Sequence, residues 1–202
     1  MRKFITTVVA AALVAALGVL ASPTLADGHA KGWVLDPELS NISFGSIKND
    51  YVGESHRFGK TSGTVTGDGM VTIALGLGSV ETNIDIRNER MREFVFNNAP
   101  NATITAAIDM AALNALPVGG STNIETEGTL TLLGVENELE ASFFVMRLSE
   151  TQVLVDSNGM VMLSTEDAEI DAGIDTLQEL AGLDSITRVS PVSLRLVFNA
   201  GG

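Results

Sequence analysis

The 202-residue sequence predicts a mostly β protein of about eight or nine strands, closed as a barrel or stacked as a sandwich so that few strand edges stay open. Two observations predict it. The first is the stretch Thr122–Leu148, where two alternating runs flank a turn at Gly134–Glu136. Ile124, Thr126, Gly128, Leu130 and Leu132 share one face, and Leu139, Ala141, Phe143 and Val145 continue it. Glu125, Glu127, Thr129, Glu138 and Glu140 lie opposite. Side chains alternate along a strand, so this is a hairpin with one dry and one wet face. The second is composition. Twenty glycines and 5% aromatic residues suit a sheet with many turns, and with no Cys the core alone must carry stability.

Taken in order, the chain opens with a basic Arg2-Lys3, an apolar Phe4–Leu20 and small residues at Thr24 and Ala26. This predicts a secretory signal peptide over 1–26, cut after Ala26 and followed by a single domain over 27–202. An uncleaved anchor is disfavoured, because Pro23 and the small-residue site close the apolar run at about its minimum spanning length. No later segment is apolar enough to span a bilayer as a helix. Trp33–Asp36 is a brief apolar start, interrupted by Pro37. Ser40–Ile47 alternates, with Ile42 and Phe44 on one side. Lys48–Gly59 is polar and mixes loop with strand. Thr61–Thr66 and Met70–Leu77 are strands around a Gly67-Asp68-Gly69 turn, with Val71, Ile73, Leu75 and Leu77 aligned. Asp85–Phe94 is charged without period two. It predicts a short helix capped by Asp85, with Met91 and Phe94 facing the sheet. Ala102–Met110 is a strand with Ile104, Ala106 and Ile108 aligned, and Ala111–Gly120 a turn with room for one helical turn. Past the opening hairpin, Thr151–Ser164 predicts a second hairpin about Ser157-Asn158-Gly159. Thr176–Ala181 predicts a helix closed by Gly182. Val189–Phe198 predicts a last strand, with Val192, Leu194, Leu196 and Phe198 aligned.

The formal charge is −13, and removal of Arg2 and Lys3 would take it to −15. An acidic surface disfavours nucleic acid and anionic membranes as partners. Nucleophilic chemistry is poorly supplied. There is no Cys and no Gly-x-Ser-x-Gly elbow, and the only histidines are His29 and His56, the latter read as loop or surface packing. Two distant histidines do not make a transition-metal site. The carboxylates Glu166, Asp167, Glu169, Asp171 and Asp175 lack EF-hand spacing and read as a solvated face. Gly76-Leu77-Gly78 is no phosphate loop, since Glu81 stands where a third Gly would be; its glycines suit a bend. Arg87, Arg90 and Arg92 either hold an anionic head group or pair with Glu89 and Glu93. What remains is apolar surface. Phe44, Phe58, Ile73, Leu75, Phe94 and Ile104 are candidate inward residues, as are Leu130, Leu132, Phe143, Val145, Leu194 and Leu196. They either fill a core or line a cavity, and a barrel of about eight strands permits both.

Several stretches in order resemble the YceI-like family of polyisoprenoid-binding, lipocalin-like proteins. These are Trp33-Val34-Leu35-Asp36 with Ser40-Asn41-Ile42-Ser43-Phe44, then Arg57-Phe58 and Gly63. Ser79-Val80-Glu81-Thr82 follows, with Arg87, Met91, Phe94 and Phe96. Last come Pro100, Ala102-Thr103-Ile104-Thr105 and Gly128–Val135. The likeness runs from Trp33 to about Phe198. Departures are Leu39 for a frequent His, Asn97 and Asn98 in place of a more acidic patch, Leu133 where Arg is common, and a long acidic Ser164–Ser190. The resemblance implies an extended antiparallel barrel of about eight strands with one or two short helices. Its interior, Phe96 now included, would hold an isoprenoid or isoprenoid-quinone lipid, with Arg87 as the candidate head-group contact. It further implies a periplasmic carrier, not an enzyme, with no metal and no cofactor besides the bound lipid. Two alternatives stand beside it. One is an interaction protein, a homodimer among its forms, with a filled barrel and an acidic surface for a basic partner. The other, more distant, is an enzyme, such as a hydrolase, using His56 or the acidic loop.

Overall fold

The computed structural model describes residues 32–201; the expected signal peptide over 1–26 lies outside them. Among the described residues twelve strands form one sheet. They are β1 (Trp33–Leu35), β2 (Asn41–Lys48), β3 (Val52–Phe58), β4 (Thr61–Val65), β5 (Met70–Gly76) and β6 (Val80–Glu81), followed by β7 (Asn101–Ala107), β8 (Ser121–Leu132), β9 (Val135–Ser149), β10 (Gln152–Ser157), β11 (Val161–Ser164) and β12 (Val189–Ala200). Eight of these segments are halves of four bent strands. β3 and β4 run on through Gly59-Lys60 and pair antiparallel with β2 and β1, which are likewise joined across the Pro37 break. β5 continues into β6 through a tight turn at Leu77–Ser79, where the Gly76-Leu77-Gly78 bend was expected. The result is an eight-stranded up-and-down antiparallel barrel, closed where Trp33, Val34 and Leu35 of β1 pair with Ala200, Asn199 and Phe198 of β12. That pairing decides the barrel over the sandwich.

The expected hairpin about Ser157–Gly159 does not form. β10 and β11 both pair antiparallel with β12, so the chain keeps its direction through Asn158-Gly159. Asp156 and Val161 are five positions apart, while their partners Arg195 and Val192 are three apart, so the two surplus residues bulge outward. Asn158 anchors the bulge, donating from its backbone N–H to Ser142 O at 2.9 Å and from its side chain to Ser142 Oγ at 3.0 Å. The turn of the opening hairpin is also one residue tighter than expected. Leu132 pairs with Val135, and Leu133-Gly134 both take positive φ (53° and 89°), as a two-residue primed turn requires.

Helices close both ends. α1 (Asp85–Arg90) passes into one wide π turn at Met91–Val95, in which Phe96 N–H donates to Met91 O at 3.0 Å. Asp85 is the first helical residue, not the cap; Ile84 holds that position without a side-chain bond. The π turn inserts a residue, so Met91, Val95 and Phe96 are buried together, and Phe94 is rotated out of the interior. α3 (Asp171–Ala181) begins five residues earlier than the sequence predicts and ends at Gly182 in the left-handed conformation (φ 61°). It lies directly on the π turn. A Cβ at Gly173 would sit 2.4 Å from Phe94 O. At the other end, α2 (Met110–Asn114) is capped by Asp109, which accepts from Ala111 N–H at 2.8 Å. There the Arg147 guanidinium spans the carbonyls of Asn114, Leu116 and Glu150.

Candidate ligand cavity

Alternation turns one face of every strand toward the barrel interior. Close packing there is incomplete, and the space left among the described residues includes two chambers. The larger is about 460 Å³ and lies under α1, the π turn and α3. That is within the range of small-molecule sites and about three times the roughly 150 Å³ void that holds one benzene. The smaller, about 120 Å³, lies toward α2 and Arg147. Ile104 lines both, so the two chambers follow one another along the barrel.

The expected inward residues divide between them. Phe44, Phe58, Leu75, Phe96, Leu130, Leu132 and Leu194 line the larger chamber. Ile73, Phe143, Val145 and Leu196 line the smaller. Phe94 lines neither, because the π turn sends Val95 and Phe96 inward in its place. The roof was legible only in part. Ile170, Ile174, Leu177 and Ala181 of the α3 region sit at helical spacing and face the chamber, although the acidic residues between them masked the pattern.

One end of the larger chamber is polar. The β2–β3 register sets Phe44 opposite His56 and Ser46 opposite Glu54. Both pairs line the chamber, together with Lys48 and with Arg87 of α1. Arg87 does not pair with Glu89 or Glu93. Its Nη1 donates to Glu54 Oε2 at 2.7 Å and its Nη2 to Thr82 O at 2.7 Å, and Lys48 Nζ reaches Glu54 Oε1 at 3.2 Å. Burial pushes the Glu54 carboxyl up, but the hydrogen bonds and charges of Arg87 and Lys48 together outweigh it and hold the group below its ordinary range. His56 is no loop residue. It is 5% exposed, tilts against the Phe44 ring at 5.2 Å, and shares a 3.0 Å hydrogen bond between Nε2 and Ser46 Oγ. Burial, then the Arg87 and Lys48 charges, lower its pKa against the opposing pull of Glu54, so the imidazole is neutral near pH 7. Glu54, His56 and Phe58 alternate, and that period placed next to an inward Phe58 was the missed signal. Among the described residues no three His, Asp or Glu side chains converge as a metal site would need. Asp171 and Asp175 of the acidic segment instead reach Arg188.

A closed antiparallel barrel around an apolar chamber, with helices over its ends, is a lipocalin-like architecture. A family model for the YceI-like domain matches residues 33–182, and the chain belongs to that family. Among solved structures it is similar to a polyisoprenoid binding domain from Saccharophagus degradans implicated in plant cell wall breakdown. The two are 35% identical, over 85% of this chain and 99% of that one, with a TM-score of 0.81. The fold is shared with BcnA of Burkholderia cenocepacia, at 16% identity over 81% of this chain and 98% of that one and a TM-score of 0.59. No curated protein matches the sequence.

Proposed function

We propose that this protein binds a polyisoprenoid-type lipid in its barrel and carries it through the periplasm without covalent chemistry, isoprenoid quinones being among the ligands. The observation that carries the reading is the pair of largely apolar chambers in line, roofed by helices. Each methylene moved from water into such a space contributes about 0.8 kcal/mol, so a branched hydrocarbon tail supplies affinity with no reacting group. The 35% identity to a polyisoprenoid binding domain supports the ligand class. The basic, apolar and small-residue pattern of residues 1–26 supports export. The chambers favour this reading over a filled barrel that acts only through its acidic surface.

Native mass spectrometry after mild purification, followed by organic extraction, tests it. A prenyl lipid released in stoichiometric amount is the expected result. Protein that is empty and takes up no added prenyl lipid would overturn the reading. Cell fractionation with sequencing of the mature amino terminus tests the location, and the expected first residue is Asp27.

A further inference from the structure

The two chambers meet at Ile104, which lines both. Along the inward face of β7, Ile104 stands between Ala102, in the wall of the larger chamber, and Ala106, in the wall of the smaller. Beside Ala106 the register places Gly128 of β8. A large side chain between small ones projects from the wall, and the small ones past it leave room for the second chamber. The same register lines up Ile73, Ile104 and Leu130 across β5, β7 and β8. Ile73 lines only the smaller chamber and Leu130 only the larger, so this row of branched side chains crosses the boundary. Ile73 and Ile104 branch at Cβ and have little freedom about χ1. Each also has a bulky cross-strand neighbour in the row to pack against. The partition is therefore stiff.

Volume then sets a length. A void of roughly 150 Å³ holds the six carbons of benzene, about 25 Å³ per carbon. At that density the larger chamber, about 460 Å³, holds about 18 carbons, between three and four isoprene units. The smaller, about 120 Å³, holds about five more, one further unit. The larger chamber opens to solvent beside α1, where Ile84 and Ile86 line it and are nonetheless exposed. A tail entering there fills the larger chamber first. Units in excess stay at the mouth, in contact with water, unless Ile104 lets them through.

We propose that Ile104 is a specificity-determining residue, which closes the smaller chamber to the tail and so limits bound prenyl lipids to about four isoprene units. The inference rests on the lipid-binding reading and narrows its ligand class to short tails.

The test offers the protein phosphatidylcholine vesicles that carry an equimolar mixture of prenyl alcohols of three to seven isoprene units. The protein is reisolated, and its bound alcohols are extracted and counted by mass spectrometry against their share in the vesicles. In the vesicle every unit is already out of water, so a unit left at the mouth lowers retention by about tenfold or more for its five carbons. Wild type should hold the three- and four-unit alcohols, and about tenfold less or lower still of the longer ones. Ile104→Ala joins the two chambers, so the five-unit alcohol should be held as well as the four-unit one while the six-unit alcohol stays excluded. Ile104→Met conserves core volume, and so the fold, but has no branch at Cβ and can turn aside. It should admit the fifth unit too. Wild type that takes six- or seven-unit tails as readily as four-unit tails overturns the proposal and leaves lipid binding standing, whether or not the variants fold. An unchanged limit in the folded variants also overturns it. Uptake of none of the alcohols overturns the lipid-binding reading itself.

Discussion

His56 concentrates the chemistry of the site, and its protonation links the chamber to stability. Its folded pKa lies below the ordinary value of 6.5, first through burial and then through Arg87 and Lys48. Between the two values the unfolded chain binds a proton that the folded chain refuses, so stability falls as pH drops from about 6.5 through the folded pKa. Glu54 is also lowered, from 4.5, so its contribution is intact above pH 4.5 and disappears only in more acid solution. Thermal melting at pH 7.5 and 5.5 therefore isolates the histidine. Wild type should lose more of its Tm over this interval than His56→Gln, which keeps a hydrogen-bonding group for Ser46; parallel losses would sink the prediction. At this scale the apolar lining was legible. Leu130 and Leu132 alternate with Thr129 and Thr131, and a strand has only two faces. His56 and Glu54 were not, because a polar residue on the inward face carries no hydrophobic signal. Their direction is fixed by the β2–β3 register, which pairs His56 with Phe44. Asn97 and Asn98 have a local explanation. Both take positive φ (48° and 56°), a conformation that asparagine tolerates better than most side chains, just where the π turn ends.

Among the elements, α3 and the π turn form the roof, and their contact depends on one missing side chain. A Cβ on Gly173 would come within 2.4 Å of Phe94 O and 2.7 Å of Val95 Cα. Both are main-chain atoms, so no rotamer change relieves the overlap. Ala is a better helix former than Gly by about 1 kcal/mol. Overpacking against rigid neighbours costs about 1–3 kcal/mol or more. We expect the second effect to win, with Gly173→Ala lowering the urea midpoint of unfolding and loosening the roof so that bound lipid is lost sooner in a washout assay. A variant as stable as wild type, or more stable, would mean that α3 does not dock on the π turn in this way. The sequence announced the end of α3 through Gly182 but not its start, since Ile170 carries no capping oxygen. It announced a helix at Asp85 but not the π turn. A π turn is set by tertiary packing and has no local pattern, and this one insertion exchanged Phe94 for Val95 and Phe96 in the chamber wall.

On the scale of the whole molecule, closure joins the two ends of the described chain. Trp33–Leu35 lies against Phe198–Ala200, which periodicity within any short window cannot reveal, so strand content was legible while the choice of barrel over sandwich was not. The bends were hidden for the same reason. Ser157-Asn158-Gly159 has the composition of a hairpin turn, but β12 offers a continuous edge, and the chain follows that edge instead of reversing. β12 thus pairs with β10 and β11 on one edge and with β1 and β2 on the other, and it spans both chambers through Leu194 and Leu196. An interior left partly empty has an energetic consequence. With no disulfide to constrain the unfolded chain, packing contacts absent from the larger chamber, about 460 Å³, are made up only when a lipid fills it. A ligand that binds only the folded barrel adds RT ln(1 + [L]/Kd), about 2.7 kcal/mol when free lipid stands at a hundred times Kd. For a domain of this size each kcal/mol moves Tm by roughly 2–4 °C. Delipidation should therefore lower Tm by on the order of 5–10 °C relative to that saturated state. Re-addition of a prenyl lipid should restore it in a concentration-dependent way, whereas a short-chain alcohol too small to fill the chamber should not. Scanning calorimetry of extracted and reloaded protein decides the matter, since a Tm indifferent to lipid would show that the barrel is complete without one.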